Sequence, residues 1–237
     1  MSTHCRHSVY LPDLGPAGGT ITLEGDEARH AVRVKRVQPG QRVAVLDGQG
    51  RCVITEVAEA GRTLALRVLS DERAAPPSPR VELYTATPKG PRAGTMIDVI
   101  SQAGADAWVP LRTAFGAETV KDNRRDRLER VAVEALKQCG RPWLLELGEE
   151  TTIEEACDAD EGAELVIADV SGEAYTPAAH GAVVRVLIGP EGGWRDDERE
   201  RAIALGARAC RFGPYVMRIE TAAAAAATIV RDAWGRR

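Results

Sequence analysis

The chain lacks what would staple a small fold or build a metal centre. Its five cysteines, Cys5, Cys52, Cys139, Cys157 and Cys210, are odd in number, widely spaced and form no CxxC pair. Neither a disulfide frame nor a zinc ribbon is expected, and a reducing compartment, the cytoplasm, is the default. The chain has only four histidines, none beside a Ser or Cys nucleophile motif, which leaves a hydrolase triad without support. His4-Cys5-Arg6-His7 could ligate a metal, but it sits at a terminus expected to fray, so no metal is expected. No GxGxxG follows a strand-like segment and no GxxxxGK[ST] occurs, so Rossmann and P-loop readings lose their main support. No apolar run approaches the roughly 20 residues a membrane helix needs. The most apolar tract, TAAAAAATIV, is mostly alanine and is flanked by Arg218 and Arg231. The opening MSTHCRHSVY has neither the apolar core nor the small-residue cleavage site of a secretory signal. A basic excess is missing too. The net charge of −4 argues against a uniformly nucleic-acid-coating protein, so the cations must be read by segment.

What remains is an ordinary globular balance, 44% hydrophobic and 28% charged, in 237 residues, enough for one large domain or two modest ones. AAPPSPR at 74–80 places three prolines between strand-like segments and predicts a linker, because proline cannot donate to a ladder. Residues 1–73 read as a β-rich unit. SVYLP, GTITLEG, QRVAVLDG, CVITEVAEA and TLALRVL alternate with turn chemistry at Pro39-Gly40, Asp47-Gly48 and Ala60-Gly61. One short helix at about 26–36 interrupts them, and five short strands with tight turns suggest a small barrel.

Residues 81–237 change rhythm. Strands are expected at 81–87, 107–111, 164–170, 183–189 and 207–213, and helices at about 92–104, 123–139, 152–157, 196–205 and 219–234. Such alternation implies an α/β domain with a parallel sheet covered by helices, whose ligands sit at the carboxyl ends of the strands. There the apolar run VVRVLI stops at Gly189-Pro190-Glu191-Gly192-Gly193. Glycines let a ligand approach the main chain closely. Two further glycine-bearing loops, Asp169-Val170-Ser171-Gly172 and Phe212-Gly213-Pro214-Tyr215-Val216-Met217-Arg218, are expected at the same edge. Cations cluster at Arg29, Arg33, Lys35, Arg36, Arg42 and Arg51, faced only by Asp47 over that span, a fair footprint for RNA phosphates. A second cluster, Lys121, Arg124, Arg125, Arg127 and Arg130, is partly offset by Asp122, Asp126 and Glu129 and reads equally well as a solvated helix face.

LIGPEGGW followed by FGPYVMRIETAAAAAA resembles the last two motifs of the SPOUT methyltransferases. The nearest branch is the RsmE-type 16S ribosomal RNA uridine-N3 methyltransferase family, whose typical pattern is LIGPEGGF and then LGPRILRTETA. The likeness extends to TATPKG, VAVEALKQCGR and HAVRVKRVQPGQRVAVLDGQG, in order and over nearly the whole chain. It implies a trefoil-knotted C-terminal domain that holds S-adenosylmethionine, a PUA-like N-terminal barrel that helps bind RNA, a homodimer, and ribosomal RNA or the small ribosomal subunit as partner. On the matched positions, Leu187, Ile188, Gly189, Glu191, Gly192, Phe212, Gly213, Val216 and Met217 are expected to form the cofactor loops. Arg29, Arg33, Lys35, Arg36, Lys89 and Arg92 are expected to meet RNA. Methyl transfer to uracil N3 needs a near-linear approach and loss of the N3 proton. Arg218 is expected to stabilise charge on the carbonyls, and Glu191 or Glu220 to take the proton. The chain departs from the family at Tyr215, where arginine is usual, at Ile219, where threonine is usual, and at Thr113-Ala114-Phe115-Gly116, where a polar segment is usual. These departures keep open a different RNA site or base, or an inactive RNA-binding protein.

Overall fold

The computed structural model describes residues 5–235 apart from 17, 117–121, 159–161 and 179–181, so His4 and Lys121 lie outside the described residues. The chain divides into two units: Met1–Pro76 with Val133–Leu144, and Pro77–Ala132 with Leu145–Arg237.

The first unit contains β1 (His7–Tyr10), β2 (Thr20–Leu23), α1 (Gly25–Arg33), β3 (Arg42–Leu46), β4 (Arg51–Ala60) and β5 (Leu64–Arg73). They form one mixed sheet in the order β1-β3-β4-β5-β2, antiparallel except where β1 runs parallel to β3. Both edge strands serve the same core. Val9 of β1 and Leu23 of β2 pack with Val43, Val45, Val57 and Leu64 and with Ala28 and Ala31 of α1. The sheet therefore curls into a half-barrel around a single apolar centre. The β3–β4 turn is set by Asp47, whose Oδ1 accepts from the backbone N–H groups of Gln49 (2.6 Å) and Arg51 (2.9 Å).

The second unit contains β6 (Arg80–Thr85), α2 (Arg92–Gln102), β7 (Ala107–Pro110), the part of α3 (Asp122–Cys139) before Val133, β8 (Glu146–Leu147), α4 (Ile153–Cys157), β9 (Ala163–Ala174), β10 (Val183–Ile188), α5 (Asp196–Ala204), β11 (Arg208–Arg211) and α6 (Ile219–Gly235). Its six strands are all parallel, in the order β11-β9-β10-β6-β7-β8. The central strands read as continuous apolar runs because both faces are covered. Val81, Leu83, Val184 and Val186 are fully buried. Helix α6 packs on α2, β6 and β10. Its alanines make this close approach feasible, with Ala223, Ala226 and Ala227 fully buried. Near its end, Arg231 donates to the carbonyls of Gly104 (2.8 Å) and Pro79 (2.5 Å) and pairs with Asp106.

Three features differ from the sequence reading. The two-residue β8 was not expected, being too short to carry an alternation. Strand β9 continues to Ala174 instead of ending at 170, because its second half pairs again with β11. The chain also crosses between units at 76/77, 132/133 and 144/145 rather than only in the proline-rich segment. The reason lies in the stretch Val133–Leu144. Its Lys137 is buried and pairs with Glu27 at 2.7 Å. Pro142 O accepts from Gly50 N (2.9 Å), and Leu144 N donates to Gly48 O (2.9 Å).

Candidate active site

Strands β9, β10 and β11 are neighbours, and the loops at their carboxyl ends enclose a half-open cavity of about 260 Å3. The first wall arises from a break in register. Ala209 of β11 faces Ile167, but the next residue, Cys210, faces Glu173, so the five residues 168–172 leave the ladder. Ala168, Asp169 and Val170 from this excursion line the cavity. Gly172 closes it. A Cβ there would lie 2.6 Å from the carbonyl oxygen of Ala209, so only glycine lets the excursion return against β11. The side chain of Arg211 donates to Gly172 O at 2.9 Å and pins the return.

The second wall is the loop after β10, where Ile188, Gly189, Pro190, Gly193 and Trp194 line the cavity. The indole of Trp194 lies flat against Gly189. A Cβ on Gly189 would come within 2.9 Å of its ring, while the indole N–H donates to Ala168 O at 3.1 Å. The tryptophan thus ties the second wall to the first. Gly193 serves the turn itself, with φ +79 and its N–H bonded to Pro190 O at 2.9 Å.

The third wall is the stretch after β11, with Phe212, Gly213, Tyr215, Val216 and Met217 facing the cavity and Ala222 of α6 behind them. Phe212 is buried and stacks on Tyr175 with centroids 5.4 Å apart. Tyr215 and Val216 are 79% and 83% exposed, so the apolar lip of this wall stands open.

Two guanidinium groups and one carboxylate give the lining its charge. Asp169 and Arg199 of α5 form a direct pair, Nε to Oδ2 at 2.5 Å. Burial would raise the Asp169 pKa, but the hydrogen bonds from Arg199 and from the Ser171 hydroxyl and N–H outweigh it and hold the carboxyl below its ordinary value.

The expected cofactor residues divide. Ile188, Gly189, Phe212, Gly213, Val216 and Met217 line the cavity; Leu187, Glu191 and Gly192 do not. Leu187 is fully buried in the core beneath the site, because alternation along β10 turns it away. Gly192 is exposed on the outer side of its loop, facing Phe115. Glu191 is exposed and pairs with Arg92. That contact joins an expected proton acceptor to an expected RNA contact and brings the start of α2 to the loop after β10.

Arg218 is exposed just ahead of α6, and its side chain has no partner among the described residues. Glu220, in the first turn of α6, carries a buried carboxylate oxygen without a hydrogen-bond partner among the described residues. Lys89 is exposed in the loop after β6. In the first unit, Arg29 pairs with Asp26 (2.5 Å), and Lys35 donates to Ser8 O (2.7 Å). The Lys35 pKa is pulled down by burial and then by Lys137. Arg33 and Arg36 are exposed without side-chain partners among the described residues. Part of the second basic cluster is structural. Arg124 donates to Pro88 O (2.7 Å), and Arg125 to the carbonyls of Leu147 and Gly148. The cavity residues missed from sequence are Trp194, Arg199 and Arg211. Trp194 and Arg211 were signalled only by position, beside strand-end loops, whereas Arg199 lies within α5 and carried no such signal. Among the described residues no group of three or more His, Cys, Asp or Glu gathers as for a metal.

A cavity at the carboxyl edge of this parallel sheet, downstream of a small curled β unit, is the architecture of an RNA methyltransferase with a PUA-like N-terminal unit. Residues 76–231 match the RNA methyltransferase domain family and residues 23–68 the RNA methyltransferase PUA domain, so the chain belongs to the RNA methyltransferase domain family. It is 34% identical over 238 residues to the ribosomal RNA small subunit methyltransferase E of Mycobacterium tuberculosis, covering 92% of this chain and 88% of that protein. The protein of the same name from Synechocystis is 30% identical over 214 residues, covering 86% of this chain and 70% of its own length. Among solved structures, a probable rRNA-methyltransferase from Porphyromonas gingivalis superposes with a TM-score of 0.82 at 27% identity, covering 97% of this chain and 99% of its own. The ribosomal RNA small subunit methyltransferase E of Neisseria gonorrhoeae, solved bound to S-adenosylmethionine, has a TM-score of 0.83 at 23% identity, covering 97% and 98%.

Proposed function

We propose that the chain transfers the methyl group of S-adenosylmethionine to N3 of a uridine in 16S ribosomal RNA, working as a homodimer in the cytoplasm. The observation that carries this reading is the cavity between the β9, β10 and β11 loops. It is nucleoside-sized, and Gly189, Gly193 and Gly213 leave main chain bare of side chains along its lining. A flat heterocycle with a polar edge suits such walls, with main-chain groups at its rim and Val216 and Met217 on its face. The names of the relatives support the substrate class. No helix among the described residues is long and apolar enough to cross a membrane.

When bound, S-adenosylmethionine supplies an electrophilic methyl carbon on a sulfonium. The protein's own task is to hold the uracil in line with it and to manage one proton and one developing negative charge. Arg218, exposed beside the third wall and without a side-chain partner among the described residues, stabilises charge on a uracil carbonyl. Glu220 is the proton acceptor in this reading, because one of its carboxylate oxygens has no hydrogen-bond partner among the described residues while Glu191 is held by Arg92. Arg33, Arg36 and Lys89 supply phosphate contacts.

The test is transfer of labelled methyl from S-adenosylmethionine to unmodified small subunits and to protein-free 16S RNA, followed by nucleoside mass spectrometry. N3-methyluridine in either substrate supports the proposal. Label in another nucleoside would move the chain to a different base, and no label with both substrates would sink the enzyme reading.

A further inference from the structure

Arg199 and Asp169 stand 30 residues apart in sequence, on α5 and on the excursion from β9, and meet on the cavity wall. Their hydrogen bonds are unequal. The Asp169 carboxylate is nearly saturated: Oδ1 accepts from Ser171 N (2.8 Å) and Ser171 Oγ (2.7 Å), and Oδ2 from Arg199 Nε. Its side chain is only 12% exposed. Arg199 commits Nε alone, and neither Nη group has a partner among the described residues. The result is a guanidinium locked by its Nε edge, with its outer donors free at a ligand-sized cavity. Such a group matches an acceptor-only, planar anion, which a guanidinium binds through two parallel hydrogen bonds. Arg211, the other cation on the wall, already spends Nη1 on Gly172 O, and Asp169 is the only carboxylate there among the described residues. Resting on the reading of this cavity as the S-adenosylmethionine site, we propose that Arg199 is a cofactor-binding residue whose Nη groups receive the carboxylate of the methionyl part. Asp169 is the positioning residue that fixes the guanidinium in that pose.

The proposal is tested by the ligand's carboxylate itself. S-adenosylmethionine and decarboxylated S-adenosylmethionine differ in that group while sharing adenosine, sulfonium and ammonium. Both are titrated calorimetrically into the wild type, Arg199→Gln, Arg199→Lys and Asp169→Asn, with melting temperatures taken in parallel. The wild type is expected to prefer the intact cofactor by about 10- to 100-fold. Arg199→Gln should lose the preference by weakening the intact cofactor alone. Arg199→Lys should keep part of it, and Asp169→Asn should reduce it. A wild type that binds both ligands equally, or an Arg199→Gln chain that still prefers the intact cofactor, overturns the proposal while leaving the cavity as the cofactor site. A wild type that binds neither ligand overturns that reading of the cavity and this proposal with it.

Discussion

Replacing Gly189 by alanine adds one methyl at a crowded point of the cavity wall. The new Cβ would lie 2.9 Å from Cε2, 3.0 Å from Cδ2 and 3.1 Å from Nε1 of Trp194. The indole cannot bend, so it must slide, and its hydrogen bond to Ala168 O breaks. Overpacking of this kind costs about 1–3 kcal/mol, and loss of the hydrogen bond about 1 kcal/mol more. Together that is about 2–4 kcal/mol, a large share of a typical domain's stability. Because Trp194 joins the second wall to the first, cofactor affinity should fall as well. Gly192 provides the contrast within the same loop. A Cβ there would be 3.5 Å from Phe115, an ordinary contact, so Gly192→Ala should stay within about 0.5 kcal/mol. Denaturant unfolding measures stability, and titration with S-adenosylmethionine measures the site. A Trp194→Phe change, which shrinks the ring and removes its N–H, should recover at least about 1 kcal/mol of the Gly189→Ala penalty in a double-mutant cycle. If Gly189→Ala proves as benign as Gly192→Ala, or if the two substitutions simply add, the close packing of Trp194 on Gly189 does not organise the site.

Other outcomes follow from the same geometry. Lys137 is buried between Glu27 and Glu134, each at 2.7 Å, and Glu27 Oε2 is itself buried without a partner among the described residues. Lys137→Met should cost about 1–3 kcal/mol, less than a fully buried pair because both glutamates are partly exposed, as read from urea midpoints. The carboxyl of Asp169 is held below its ordinary pKa, so its contribution to stability is present above about pH 4 and is lost as pH falls through the lowered value. The stability gap between wild type and Asp169→Asn should be level from pH 5 to 8 and close below about pH 4, as followed by denaturant midpoints across pH. Burial, and next the Glu82 carboxylate, push Tyr84 up to about 12. Its stabilising contribution is complete below about pH 10 and disappears as pH rises through about 12, so wild type should lose stability over that window faster than Tyr84→Phe.

Much of the fold was legible because the chain changes period. Turn pairs such as Asp47-Gly48 bound the short strands of the first unit, and runs such as VVRVLI mark strands covered on both faces. The grouping of Val133–Leu144 with the first unit was not legible, because it rests on Lys137 meeting Glu27 across 110 residues. The site was half legible. Glycines announce a close approach of something, but not of what. Gly189 is small for Trp194 and Gly172 for the β11 backbone, while Gly192 is crowded by nothing. Glu191 looked chemical because it sits among those glycines; its partner is Arg92, 99 residues away. Arg199 looked like one more charge on a polar helix, since the excursion that brings Asp169 to it comes from a register break no local pattern encodes.

The most direct measurement is titration of the whole chain with S-adenosylmethionine, alongside Ala222→Phe, which projects a ring from the first turn of α6 into the cavity. Saturable binding, one cofactor per chain, that Ala222→Phe abolishes while the chain stays folded is the result expected if the cavity is the cofactor site. Binding that survives Ala222→Phe unchanged would place the cofactor elsewhere and contradict the account.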